Sequence, residues 1–121
     1  MDIKKELENR TKRFSIKIIS FVSLLPNNKI TDIVGRQLLK SGTAIGANYR
    51  EANRAESKND FIHKIAIIEK EASETQYWLE ICLEADIGEK ETVSYLFQES
   101  TELLAIFTSI GKTTKSRYKN K

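Results

Sequence analysis

Between Phe61 and Asp86 the chain repeats apolar and small residues at steps of four and three: Phe61, Ile65, Ile68, Ala72, Thr75, Leu79, Cys82 and Asp86. Ile62, Gln76 and Leu83 flank the stripe. A repeat sustained over more than three heptads fits one local structure, an amphipathic helix that packs its stripe on other helices. Ser57-Lys58-Asn59-Asp60 precedes it in the S-x-x-D form of a capping box, and Gly88 follows as a candidate C′ stop.

The rest of the sequence supplies the partners. Ile3, Leu7, Arg10, Phe14, Ile18, Phe21 and Leu25 mark a first helix over about 2–24, widened by Ile16, Ile19 and Val22, and Pro26-Asn27-Asn28 stops it. A second helix is predicted over about 30–55, with Ile30, Ile33, Val34, Leu38, Ser41, Ile45, Asn48, Ala52 and Ala55 inward. The third spans about 58–86. The fourth covers about 90–115, on Val93, Leu96, Phe97, Leu103, Leu104, Phe107 and Ile110. The basic tail, 112–121, is expected to fray. No stretch alternates like a strand, and one Pro and five Gly in 121 residues leave little punctuation. Four helices of 20–27 residues with short turns predict a single all-α domain, an antiparallel up-down-up-down four-helix bundle.

Charge is unevenly spread. Lys112, Lys115, Arg117, Lys119 and Lys121 stand without an acid in the tail, whereas residues 71–102 hold nine acids against Lys90 alone. Such polarity suits nucleic acid on one face, or pairing of unlike faces in self-assembly. The net charge of +3 is modest. Cys82 has no cysteine partner, which points to a reducing, cytoplasmic setting. No run approaches a membrane span, and the opening MDIKKELENR has no signal-peptide core. Neither a membrane nor a small-molecule substrate is therefore expected as a partner.

Catalytic signals are missing. His63 is the lone histidine, and no H-x₃-H, C-x-x-C or phosphate-loop pattern occurs. Glu69, Glu71 and Glu74 with Asp60 and His63 come nearest to a metal site. A bundle di-iron centre, however, needs Glu-x-x-His on two helices. Neither a metal nor another cofactor is expected, nor any catalytic residue.

The informative stretch is Gln37–Arg54, QLLKSGTAIGANYREANR. Gly42 and Gly46 share a helical face with Ser41 nearby, and each glycine costs about 1 kcal/mol against Ala in a helix. A small-residue seam of this kind implies that something approaches the helix backbone closely. Gln37 and Asn48 are polar where Leu would be expected: they either fix register inside the core or pair across a subunit boundary. Tyr49 and Trp78 are packing residues, base-stacking platforms or interface anchors. Arg36/Lys40 and Arg50/Arg54 are like-charged i, i+4 pairs. With Lys58 and Lys64 they form the candidate nucleic-acid-binding set, whose acidic partners are either carboxylates of this protein or phosphates of another molecule. Gln37, Ser41, Gly42, Gly46, Asn48, Tyr49, Glu51 and Trp78 form the candidate packing and interface set.

The stretch QLLKSGTAIGANYREANRAESKNDFIHKIAIIEKEASETQYWLEIC closely resembles the signature of the 23S rRNA intervening-sequence proteins, small bacterial four-helix bundles. Its most specific parts are Ser41-Gly42, Ile45-Gly46-Ala47-Asn48, Arg50-Glu51, Asp60-Phe61 and Glu71-Ala72. The resemblance implies a homopentameric ring and likeness to the accessory protein of diversity-generating retroelements, a basic pentamer that binds nucleic acid. Together the two lines predict a non-enzymatic homo-oligomer that binds rRNA or other nucleic acid through a basic face. The alternative is an interaction scaffold whose charged faces serve assembly.

Overall fold

A computed structural model of the chain, described here for residues 2–119 and for side chains through 117, contains four helices. They are α1 (Ile3–Ser23), α2 (Lys29–Ala52), α3 (Lys58–Glu84) and α4 (Lys90–Lys119). Each starts and stops for a local reason. The Asp2 carboxylate caps α1, accepting from Lys4 N at 3.0 Å. Asn28 caps α2 in a reciprocal box with Thr31. Ser57 Oγ caps α3, accepting from Asp60 N at 3.1 Å, as the S-x-x-D pattern foretold. At the end of α3 the amide of Ile87 reaches Cys82 O at 2.9 Å, the reach of a Schellman turn. The left-handed residue there is Asp86 (φ 56°), and not the expected Gly88, which follows at φ 81°. Aspartate tolerates that region better than most side chains.

Consecutive helices pack along their lengths, and α1 meets α4 more sparsely, so the chain closes an antiparallel bundle. Phe14 and Ile18 of α1, Leu38 and Ile45 of α2, Ile65, Ile68 and Leu79 of α3, and Leu96, Leu103 and Phe107 of α4 are all but fully buried in one core. Three polar residues at core positions satisfy themselves within their own helices. Thr11 Oγ1 donates to Leu7 O (2.9 Å), Ser41 Oγ to Gln37 O (3.0 Å) and Thr75 Oγ1 to Glu71 O (2.7 Å). Cys82 is buried on the seam, and burial pushes its thiol up to about 11.

The α1–α2 contact rests on glycine. A β-carbon at Gly42 would lie 3.0 Å from Ile18 Cγ1, and one at Gly46 would lie 3.3 Å from the carbonyl carbon of Thr11. The close approach is thus between helices of one chain. Where α1 and α4 pack least, Arg10 ties them together. Its Nε donates to Glu99 Oε2, and its Nη2 to Glu99 Oε1 and Glu102 Oε1, all at 2.8 Å. Those carboxylates hold the guanidinium firmly charged.

Several sequence expectations change. α2 ends at Ala52 rather than near residue 55, so Arg54 sits in the turn and Arg50/Arg54 are not a helical pair. α4 continues through the basic tail to Lys119 instead of fraying from residue 112; Lys121 lies outside the described residues. Ile30 and Ile33, assigned inward, are 65% and 52% exposed because Thr31 and Val34 take the inner phase.

Candidate nucleic-acid interface

Antiparallel pairing decides which charges meet. It puts the end of α2, the start of α3, the start of α1 and the end of α4 at one end of the bundle. Gly111 shows the match: a β-carbon there would lie 2.6 Å from Glu69 Oε2 and 3.5 Å from Ile65 Cγ2, so the last turns of α4 run beside the first turns of α3. Arg50, Arg54, Lys58 and Lys64 therefore share an end with Lys112, Lys115 and Arg117, although the two groups are some fifty residues apart in sequence. Asp2, Glu6, Glu8, Glu51, Glu56 and Asp60 are the acids interspersed there, and Lys4 and Lys5 of α1 add to the bases. The opposite end carries Asp32, Glu80, Glu84, Asp86, Glu89 and Glu91, with Lys29 and Lys90.

On the basic end a groove of about 510 Å³ opens between α1 and α2, walled by Glu8, Lys12 and Ser15 on one side and Gly46, Ala47, Arg50, Glu51 and Arg54 on the other. The short side chain of Ala47 leaves the wall low, while Gly46 lies against Thr11 of α1. Glu8 organises the wall: its Oε2 accepts from Asn53 Nδ2 at 2.9 Å, and its Oε1 lies 4.0 Å from Arg50 Nε. Asn53 Oδ1 is buried with no hydrogen-bond partner among the described residues. Lys64 Nζ donates to Glu51 Oε1 at 3.0 Å, joining α2 to α3. Arg54, Lys12, Lys112, Lys115 and Arg117 are exposed and make no ion pair among the described residues.

The sequence-derived set thus divides. Arg50, Arg54, Lys58 and Lys64 come together. Arg36 and Lys40 do not: they lie on the exposed side of α2, where Arg36 stands 14 residues, or about 21 Å, from Arg50 and 3.8 Å from the Asp32 carboxylate. Lys12 and Glu8 were missed, because nothing in α1 alone says which helix it will lie against.

The aromatic and polar candidates also resolve. Tyr49 is 4% exposed, its ring edge-on to Phe107 at 5.2 Å, so it is a core residue and no platform for a base. Burial pushes its phenol above the ordinary value. Trp78 is half-buried against the core, its Nε1 donating to Glu74 Oε2 at 3.4 Å and its ring edge-on to Tyr77. Asn48 is half-buried, and its Nδ2 donates to Ala44 O of its own helix (2.9 Å), so that bond sets no register between helices. Gln37 is half-buried, Ser41 and Gly42 are buried, and Glu51 is exposed. Among the described residues no group of three or more His, Cys, Asp or Glu side chains could hold a metal ion, and no helix is long and apolar enough to cross a membrane.

The geometry defines a class, an all-α antiparallel bundle with one cationic and one acidic end. Within that class the chain belongs to the 23S rRNA-intervening sequence protein family, whose sequence pattern matches residues 4–109. It is also similar to a crystal structure from Bacteroides thetaiotaomicron, described as a protein with unknown function from the S23 ribosomal protein family. The two are 37% identical, with a TM-score of 0.80, over 87% of this chain and 97% of that one. No curated protein matches the chain. The family match stops short of Lys112, Lys115 and Arg117.

Proposed function

We propose that the chain is a non-enzymatic, homo-oligomeric bundle that binds RNA through the cationic end. The observation that carries this reading is the gathering of Arg50, Arg54, Lys58, Lys64, Lys112, Lys115 and Arg117 by the bundle topology, with Arg54, Lys112, Lys115 and Arg117 making no ion pair among the described residues. Exposed guanidinium and ammonium groups on rigid helices suit phosphate oxygens, and a surface without a base-reading device binds the backbone rather than a sequence. The resemblance to the basic, nucleic-acid-binding accessory protein of diversity-generating retroelements supports the same reading, as does membership of a family named for an rRNA insertion.

The test is titration of a labelled 23S rRNA fragment at about 50 and 200 mM salt. Neutralising several phosphates makes affinity fall steeply over that range. Absent binding at low salt, or binding indifferent to salt, refutes the reading.

A second reading, an assembly scaffold, is favoured by a different observation. Ile16 and Ile19 on α1 are 54% and 50% exposed, and Ile30 and Ile33 at the start of α2 are 65% and 52% exposed. Two unlike patches suit a heterologous contact, which closes into a ring when the rotation permits. The resemblance suggests a pentamer. If Arg50→Ala and Arg54→Ala dissolve the oligomer in light scattering, the scaffold reading gains. Intact oligomers that have lost RNA favour the first.

A further inference from the structure

The acidic end of the bundle holds a cavity that the RNA-binding reading leaves unused. The last turn of α1, the α3–α4 turn and the start of α4 surround about 560 Å³, floored by Phe21, Leu25 and Leu96 and edged by Glu89 and Glu91. Phe21 and Leu96 are buried in the core, whereas Leu24 and Tyr95 at the mouth are 85% and 45% exposed. Lys17 is the one cation of the lining, and it is turned onto Tyr95, 4.3 Å above the ring. An apolar floor inside an acidic rim selects a cationic segment that carries one aromatic or aliphatic anchor.

The chain has such a segment. Residues 115–121, KSRYKNK, contain Lys115, Arg117, Lys119 and Lys121 around a single aromatic, Tyr118, with no acid. It cannot reach the cavity of its own bundle. α4 is 30 residues long, about 45 Å. The cavity lies at its first turn and the segment at its last, and seven residues span at most about 25 Å.

We infer that the cavity receives the C-terminal segment Lys115–Lys121 of a second copy, an end-to-end contact that sets acidic end against cationic end. The contact does not depend on RNA binding, but it draws on the same cations, so RNA competes with it.

The probe is a fluorescein-labelled peptide with the sequence of residues 112–121, titrated into the full chain without RNA and followed by anisotropy. Saturable, salt-sensitive binding is expected. It weakens at least tenfold for the Glu89→Lys/Glu91→Lys variant, for Leu24→Glu, and for a peptide carrying Tyr118→Ala. Glu80→Lys, an acid outside the cavity lining, leaves it unchanged. Circular dichroism checks that the variants keep their helices, and a peptide with its lysines and arginine reversed to glutamate restores binding to Glu89→Lys/Glu91→Lys. No saturable binding, or equal binding by the wild type and Glu89→Lys/Glu91→Lys, overturns the inference. Loss of RNA binding alone leaves it standing.

Discussion

Ile18 of α1 rests on the bare backbone of Gly42 in α2: a β-carbon at Gly42 would lie 3.0 Å from Ile18 Cγ1 and 3.2 Å from Cγ2. Ile18 is fully buried and β-branched, so it has neither space nor a free rotamer with which to yield. At Gly46 the opposing atoms include the main chain of Thr11, which yields even less.

Gly42→Leu and Gly46→Leu are therefore expected to destabilise the fold by about 1–3 kcal/mol through overpacking. Gly42→Ala gains about 1 kcal/mol of helix propensity and loses part or all of it to the clash. Urea unfolding of the three variants checks this. Unchanged midpoints for the leucine variants would sink the close-packing account of the two glycines.

The turn between α3 and α4 offers a contrast in sign. Gly88 has φ 81°, and a β-carbon on it would lie 2.5 Å from Phe21 Cε1. Gly88→Ala meets the left-handed penalty of about 1–2 kcal/mol together with that collision. Asp86 already bears a side chain at φ 56°, so Asp86→Gly relieves strain and is expected to stabilise by a few tenths of a kcal/mol up to about 1. Thermal melts of the two variants should shift in opposite directions.

Two glutamates are expected to respond to acid with opposite signs. Hydrogen bonds from Gln98 and Arg10 hold the Glu102 carboxyl below its ordinary range. It contributes stability above that range, which is lost as pH falls through the lowered value. Glu71 is pushed up, first by desolvation and then by Glu74. Its ionised form therefore costs stability at neutral pH, and the cost disappears in acid. At pH 7, Glu71→Gln should melt higher than wild type and Glu102→Gln lower, and both differences should shrink toward pH 3. Differences that persist at pH 3 would trace to packing rather than charge.

The inner stripe of α3 was legible because burial at helical period leaves its mark on every turn, as at Ile65, Ile68, Leu79 and Cys82. Positions decided by a neighbour were not. Asn48 and Tyr49 are adjacent, and the larger residue took the inner place because Phe107 of α4 stands opposite it. The tail reads as a loose end, yet it stays helical through Lys119, with Thr114 bonded to Ile110 O and the preceding turn running beside the start of α3. The sequence showed which residues were basic. Only the topology joined Arg54 to Lys115, and only the pairing of α1 with α2 set Glu8 and Lys12 beside them.

Glu8 gives the sharpest test of the cationic end. It is the one acid of α1 in the groove wall, and it draws both Arg50 and Asn53 inward. If phosphates bind there, Glu8 repels them and competes for Arg50. Glu8→Gln keeps an acceptor for Asn53 and releases Arg50, so it should strengthen RNA binding about two- to fivefold, the yield of a partly exposed ion pair of up to about 1 kcal/mol. Arg54→Ala and Lys115→Ala should each weaken it and lower the salt slope by about one. Arg36→Ala, about 21 Å along α2 and beside Asp32, should do least. Fluorescence anisotropy with one labelled RNA at two salt concentrations ranks all four. Arg36→Ala weakening binding as much as Arg54→Ala would move the interface from the end of the bundle to the side of α2.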